Sequence, residues 1–287
     1  MSPDPRRYTL KLWCPDRLGI VAAVAGFLAQ QDCNILESAQ FDDEMTDRFF
    51  MRTVFAAGDS SPQREHLSAA FAAIGKRFHM DWELYDAQEK SRVVILVSRL
   101  DHCLNDLLYR YRIGAIPMDI PAIISNHPDL QPLADFHGIP YHHLPVNAAM
   151  RTAQEQSILR IVEDTGAELV VLARYMQILS PMVCSRLKGR IINIHHSFLP
   201  SFTGAKPYHQ AHARGVKLIG ATAHYVTEEL DAGPIIEQET VRVTHAHTPA
   251  QLMVLGRDLE NAVLARAVKY HCEHRVLLHG NKTVVFQ

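Results

Sequence analysis

Cysteine is scarce in this 287-residue chain: Cys14, Cys33, Cys103, Cys184 and Cys272 make an odd set of 5, with no two close together. Without a C-x-x-C pair, neither a zinc knuckle nor a disulfide framework is expected, and free buried thiols in a reducing compartment are the plain reading. An excess of charge is lacking too. The 29 Lys and Arg against 31 Asp and Glu leave a net charge of −2, which excludes the basic footprint of a general nucleic-acid or membrane-surface binder. Long apolar runs are missing. Nowhere do about 18 apolar residues follow one another, so no membrane-spanning helix is expected. The opening MSPDPRRYTLKL has no apolar stretch of a secretion signal, and the expected location is cytoplasmic.

What is present is ordinary globular material, 47% apolar and 21% charged, long enough to bury a full core without metal or disulfides. At roughly 100–200 residues per domain, two domains are expected. Residues 8–13 (YTLKLW) alternate as a strand, with Tyr8, Leu10 and Leu12 on one face. After Pro15, Asp16 and Gly19, apolar residues recur at helical spacing from Gly19 to Gln31. Strands follow at 34–41 and 48–56, a helix from about 62 to 78, and a strand at 79–85. The order β-α-β-β-α-β is the ferredoxin-like split βαβ pattern, expected over 1–86, with the polar DAQEKS at 86–91 as a linker.

A different grammar begins at 92–97 (RVVILV), a β-branched run that suits a strand buried on both faces. Helix 102–112, strand 119–125, helix 151–165, strand 168–174, helix 181–188 and strand 190–195 continue the alternation. Antiparallel strands at 217–226 and 234–243 and a long helix at about 248–274 complete it. This predicts an α/β, doubly wound, Rossmann-like sheet over 92–287.

Chemistry concentrates in 190–210, RIINIHHSFLPSFTGAKPYHQ. A buried strand delivers Asn193 and His195 to the same side at its carboxyl end, where α/β sheets bind ligands. Pro200 and Gly204 turn the chain afterwards. A second cluster, HYVTEELDAGPIIE at 224–237, puts Asp231 in a turn between strands. Alone, His195 reads evenly as a structural histidine or a site residue, and Asp231 reads mainly as turn chemistry. Among the 17 histidines, His142-His143, His195-His196 and His245-x-His247 invite a metal. None joins a carboxylate or Cys at ligand spacing, and neighbours on a strand point apart, so no metal is expected.

The strings N-I-H-x-S-x-L-P, G-A, and G-A-T-A-H-x-V-x-E-E-L-D-A-G-P-I-I, in that order, resemble the catalytic domain of the folate-dependent formyltransferases, over about 92–287. The resemblance implies that Asn193, His195 and Asp231 are the catalytic residues. It also implies that 169–180 (LVVLARYMQILS) holds the folate, through Arg174, Met176, Ile178 and Leu179, with His224 and Gly233 nearby. The chemistry is consistent. Attack on a formyl carbon develops negative charge on its oxygen, to which Asn193 and a protonated His195 can donate. Asp231 can orient His195, order a water or relay a proton. Whether His195 serves as protonated electrophile or general base stays open.

Family members differ in acceptor. The ribonucleotide transformylases hold a phosphate in a glycine-bearing loop after the first strand, whereas here VSRLDHCLNDLL has no glycine. The tRNA-directed members carry a further C-terminal domain, for which no room is expected before Gln287. Water is then the expected acceptor, and the segment S-R-x-D-H-C-L-x-D-L-L and the His195-His196 doublet resemble the deformylating members. Ser98, Arg99 and His102 read as structural or as wall residues. The implied reaction is 10-formyltetrahydrofolate plus water to formate and tetrahydrofolate, balancing folate pools and supplying formate for purine synthesis, with no cofactor beyond the folate. The N-terminal unit and its string C-P-D-R-L-G-I-V-A-A-V-A-G-F-L resemble an ACT domain. This implies a small amino-acid effector near Asp16, Arg17, Gly19 and Asn34, or pairing alone, and a homo-oligomer. Two alternatives remain: formyl transfer to a small amine, and a non-catalytic folate or amino-acid sensor.

Overall fold

Side-chain alternation builds the first sheet. The computed structural model describes residues 6–200 and 207–287. Gly204, expected in the turn after the site strand, lies outside the described residues. The chain runs β1 (Arg7–Pro15), α1 (Ile20–Gln30), β2 (Cys33–Asp43), β3 (Arg48–Ala57), α2 (Arg64–Phe78) and β4 (Asp81–Asp86). The strands form an antiparallel sheet in the order β2-β3-β1-β4. One face carries Tyr8, Leu10, Leu12 and Cys14 from β1, packed with Val24, Phe27 and Leu28 of α1 and Leu67, Phe71 and Phe78 of α2. Each such burial contributes roughly 1.5–3 kcal/mol. Gly19, at φ +94°, turns the chain into α1, a left-handed conformation that glycine adopts without steric cost.

The second region runs β5 (Ser91–Val97), α3 (His102–Arg112), β6 (Met118–Ser125), α4 (Gln131–Phe136), β7 (Tyr141–His143), α5 (Arg151–Asp164), β8 (Leu169–Leu172), α6 (Pro181–Arg186), β9 (Ile191–His195), α7 (Pro207–Arg214), β10 (Leu218–Tyr225), β11 (Ile235–Arg242) and α8 (Pro249–Cys272). Its sheet has 7 strands in the order β11-β10-β9-β8-β5-β6-β7. From β9 to β7 the strands are parallel, and β10 and β11 add an antiparallel edge. Val93 through Val97 of β5 are all 0% exposed, as expected for a central strand covered on both faces. The chain order changes direction between β5 and β8, so ligands belong at the carboxyl ends there.

α8 starts where Thr248 and Gln251 cap each other: Thr248 N donates to Gln251 Oε1 at 2.8 Å, and Gln251 N to Thr248 Oγ1 at 3.3 Å. This reciprocal box, with Pro249 in the first helical position, fixes the helix start. Two departures from expectation have physical causes. β8 stops at Leu172 rather than running to 174, because Arg174 turns to φ +63°. The short β7, α4 and α7 carry too few periodic residues to be read from the sequence.

A third unforeseen element is the hairpin of β12 (Val276–His279) and β13 (Lys282–Val285). By contacts, one compact unit comprises residues 1–90 with Glu273–His279 and Val284–Gln287, and the other comprises Ser91–Cys272 with Gly280–Thr283. In the first unit Leu277 and Phe286 cover Phe50, with Trp13 and Val284 alongside. This explains why both faces of β3 are buried, Phe50 at 1% and Met51 at 1% exposure. Arg52, 3% exposed, survives there because Glu37 accepts its Nη1 at 2.7 Å and the Glu273 carbonyl its Nη2 at 3.0 Å. Phe286→Ala should therefore destabilise the first unit by about 3 kcal/mol, read as a lowered urea midpoint. An unchanged midpoint would mean the hairpin is ornamental to the sheet.

Candidate active site

Two adjacent parallel strands reach one pocket, and a third lies beside them. β9 ends in His195, β8 is followed by Arg174, and β5 is followed by Ser98. Asn193 and His195 share a face of β9, and β10 lies opposite with Thr222 across from His195 and His224 across from Asn193. A register shift at Ala223/His224 on the β11 side breaks the regular pairing before the turn that carries Asp231. Bulges of this kind re-aim side chains beside functional sites.

Asp231 sits at φ +55° and meets both histidines. Its Oδ2 lies 3.2 Å from His195 Nδ1, and its Oδ1 lies 3.6 Å from His224 Nε2. The hydrogen bond to His195 first, and the nearby His224 ring next, hold the Asp231 carboxyl well below the usual carboxylate range, against the opposing effect of burial. His224 is 2% exposed. Its Nδ1 faces the Tyr225 carbonyl at 2.9 Å and must carry the proton there. Its Nε2 lies 3.2 Å from Asn193 Nδ2, so Asn193 can donate one amide hydrogen to it and keep the other for a ligand. His195 is 6% exposed, and its Nε2 is buried with no hydrogen-bond partner among the described residues. A buried polar atom left open calls for a ligand or water.

The turn tolerates this arrangement because residue 233 is glycine. A Cβ there would lie 1.7 Å from the Tyr225 carbonyl oxygen. Gly233 is not among the residues lining the pocket; what the structure shows is that it lets the backbones approach.

The pocket encloses about 210 Å³ and is lined by Arg174, Met176, Ile178, Leu179, Asn193, His195, His224 and Asp231, among others. Met176 and Ile178 are 58% and 61% exposed, apolar side chains set out for a flat partner rather than for the core. The segment carrying them is clamped. Met176 N donates to Ser98 Oγ at 3.0 Å, Arg151 Nη2 to the Ile178 carbonyl at 2.6 Å, and Ser180 N to Glu155 Oε1 at 2.8 Å. Ser98 is thus a positioning residue whose own hydroxyl hydrogen goes to Asn126 Oδ1 at 2.8 Å.

The His195-His196 doublet behaves differently from the expectation that adjacent histidines point apart. β9 ends at His195, so the alternation no longer binds His196, and the two rings stack at 4.8 Å with 19° between planes. His196 Nδ1 lies 3.0 Å from Arg174 Nη1, and its pKa is pushed down to about 4, by burial first and then by Arg174 and His195. Glu260, 1% exposed, was missed in the sequence. Its signal was an acid set within the apolar stripe Gly256, Leu259, Val263, Leu264 of a long helix. His102, Cys103 and Glu260 bring ligand atoms within 4.8 Å of one another, but the Glu260 carboxylate is already engaged by His102 at 2.8 Å, Tyr208 at 2.9 Å and Arg174 at 3.4 Å. A permanent guanidinium charge beside it disfavours a cation.

Of the residues expected near an N-terminal effector, Asp16, Arg17 and Gly19 line one surface depression together with Phe49. Asn34 lines a separate one with Asp32 and Gly58, so the four do not form a single cluster.

Two outcomes follow from this geometry. Gly233→Ala should cost about 1–3 kcal/mol and displace Asp231, so that activity falls more than stability; wild-type activity would dismiss the close approach. Asp231 gains stability above its unfolded pKa near about 3.9 and loses it as pH falls through its lower folded value. Asp231→Asn should then be less stable than the parent at neutral pH, with the gap closing in strong acid. A pH-independent gap in unfolding midpoints would contradict the pairing.

The formyl transferase family model matches residues 91–268. The formyltetrahydrofolate deformylase of Corynebacterium sp. (strain P-1) is 50% identical over 282 residues, 98% of each chain. The solved formyltetrahydrofolate deformylase from Burkholderia mallei superposes with a TM-score of 0.94 at 54% identity, covering 99% of this chain and 100% of that one. A glycinamide ribonucleotide transformylase from Symbiobacterium toebii covers 71% of this chain and 98% of its own, with a TM-score of 0.66 at 30% identity. The chain belongs to the formyl transferase family and, within it, to the formyltetrahydrofolate deformylases.

Proposed function

We propose that this chain hydrolyses 10-formyltetrahydrofolate to formate and tetrahydrofolate. The reading rests on the family and on one observation above all: the open Nε2 of His195, buried at the end of the Asp231 pair and beside Asn193. Ionised Asp231 offers the countercharge for a protonated His195. Nε2–H and the second Asn193 amide hydrogen then donate to the formyl oxygen as it becomes negative. Water attacks the formyl carbon and passes a proton to Asp231. The C–N bond to the folate breaks with its electron pair going to nitrogen, His195 gives its Nε2 proton to that nitrogen, and the cycle closes as Asp231 releases its proton to solvent and His195 Nε2 takes one back. Formic acid leaves and loses its remaining proton to solvent. No activated Ser or Cys and no cofactor beyond the folate enters the scheme.

The folate lies across the clamped segment 174–180, its ring system against Met176 and Ile178, whose exposure supports that use. The domain assignment we favour is residues 1–86 as an ACT-like regulatory or oligomerising unit and 92–287 as the catalytic one. Support for the first is the β2-β3-β1-β4 sheet order and the glycine turn at α1. A small amino acid would sit with its carboxylate at the α1 N-terminus near Asp16 and Arg17, in a homo-oligomer. A cytoplasmic enzyme of this kind, without nucleic-acid or membrane partners, would balance folate pools and provide formate for purine synthesis. Among the described residues no helix is long and apolar enough to cross a membrane.

The direct assay follows formate and tetrahydrofolate together with no amine added. Equal release of both is expected. Intact folate binding without release would overturn the reading. Asn193→Ala should lower kcat by about 10²–10³ with little change in KM, and an unchanged kcat would remove Asn193 from the oxyanion role.

A further inference from the structure

We propose that Arg174, anchored by Glu260, is a positioning residue that fixes the ring of His195 through His196; the inference rests on the hydrolytic reading of the same site. Four observations carry it. First, Arg174 holds φ +63°, a conformation that glycine adopts freely and a long side chain does not. An arginine kept there is kept for its side chain, since strain at a site persists only where the surroundings enforce it. Second, the guanidinium spans two partners, His196 Nδ1 at 3.0 Å and Glu260 Oε2 at 3.4 Å. Arginine can only donate, so His196 must accept at Nδ1 and stays neutral. Third, the neutral ring lies flat on His195, centroids 4.8 Å apart. Asp231 fixes one nitrogen of His195, and the stacked face fixes the plane in which the other points.

Fourth, the anchor is itself built rather than incidental. Glu260 takes His102 Nε2–H at 2.8 Å on one oxygen and the Tyr208 hydroxyl at 2.9 Å on the other. Burial works against its charge, yet His102, Arg174 and Tyr208 hold its carboxyl below the ordinary value. Tyr208 reaches it only because residue 256, one turn earlier on α8, is glycine: a Cβ there would lie 2.0 Å from the Tyr208 hydroxyl. The chain thus runs Gly256, Tyr208, Glu260, Arg174, His196, His195.

The groups facing His196 are Arg174, His195, Glu260 and Asp231, with the Tyr208 ring at 6.5 Å. Removing the Arg174 charge lets His196 take a proton at higher pH. A protonated His196 stacked on His195 would spoil the pair. Arg174→Gln should lower kcat about 10- to 100-fold, as a small misplacement does, with KM within about twofold, and it should move the acid limb of kcat to higher pH. Adding His196→Phe, which keeps the stacked face but cannot titrate, should return the limb to its parental position. Glu260→Gln, of equal size, should lower kcat in the same direction and provides a second route should Arg174→Gln fold poorly. Folding is checked by far-ultraviolet circular dichroism, and the unsubstituted enzyme is assayed alongside for formate release. If that enzyme releases formate while folded Arg174→Gln or Glu260→Gln keeps its kcat and pH profile, the proposal is overturned. If the unsubstituted enzyme releases none, it is the hydrolytic reading that fails.

Discussion

The contact between Asp231 and His195, 3.2 Å from the β10–β11 turn to the end of β9, is what the rest of the site is arranged to hold. A carboxylate drawn this far out of water is costly unless its geometry is met on every side. Here Oδ2 meets His195 and Oδ1 faces His224, while Asn193 completes the circle through His224. The turn that makes this possible needs three local features at once. These are a register shift at His224, a left-handed Asp231, and a residue 233 with no side chain. None is stable by its own propensity, and the sheet overrides all of them.

Around the pair lies a second layer of engaged polar groups. Glu260 fills its lone pairs with His102, Tyr208 and Arg174, and Ser98 spends its hydroxyl on Asn126 while accepting from Met176. Three other buried polar atoms nearby, Arg174 Nε, His196 Nε2 and the Tyr175 hydroxyl, also lack a hydrogen-bond partner among the described residues, so His195 Nε2 stands out by its place at the end of the Asp231 pair. An interaction made only in the transition state is the kind that raises the rate, and a group left open beside the Asp231 pair can make one.

The pattern of side chains made much of this legible. The β-branched run at 92–97 announces the buried central strand, the alternation of Tyr8, Leu10 and Leu12 announces β1, and the spacing of Asn193 and His195 puts both on one face. What escaped reading depends on the partner rather than the pattern. Glu260 looks like any acid on a long helix until α7 and the turn at Arg174 are placed around it. The His196 ring is misjudged if the strand is assumed to continue past His195. The C-terminal hairpin, whose Leu277 and Phe286 cover Phe50, is invisible because its partners lie more than 200 residues earlier in the chain. Gly233 is the converse case. Its position is expected to matter through a ligand, and the structure adds the close approach to the backbone of Tyr225.

The central claim is that water, oriented beside the Asp231–His195 pair, attacks the formyl carbon. Turnover in ¹⁸O-enriched water measures this most directly, with mass analysis of the formate formed. The account predicts a single solvent-derived oxygen in each formate at first turnover, and a rate that collapses in Asp231→Asn. Formate carrying no solvent oxygen would contradict it, because the formyl group would then have left by a route in which water is not the nucleophile.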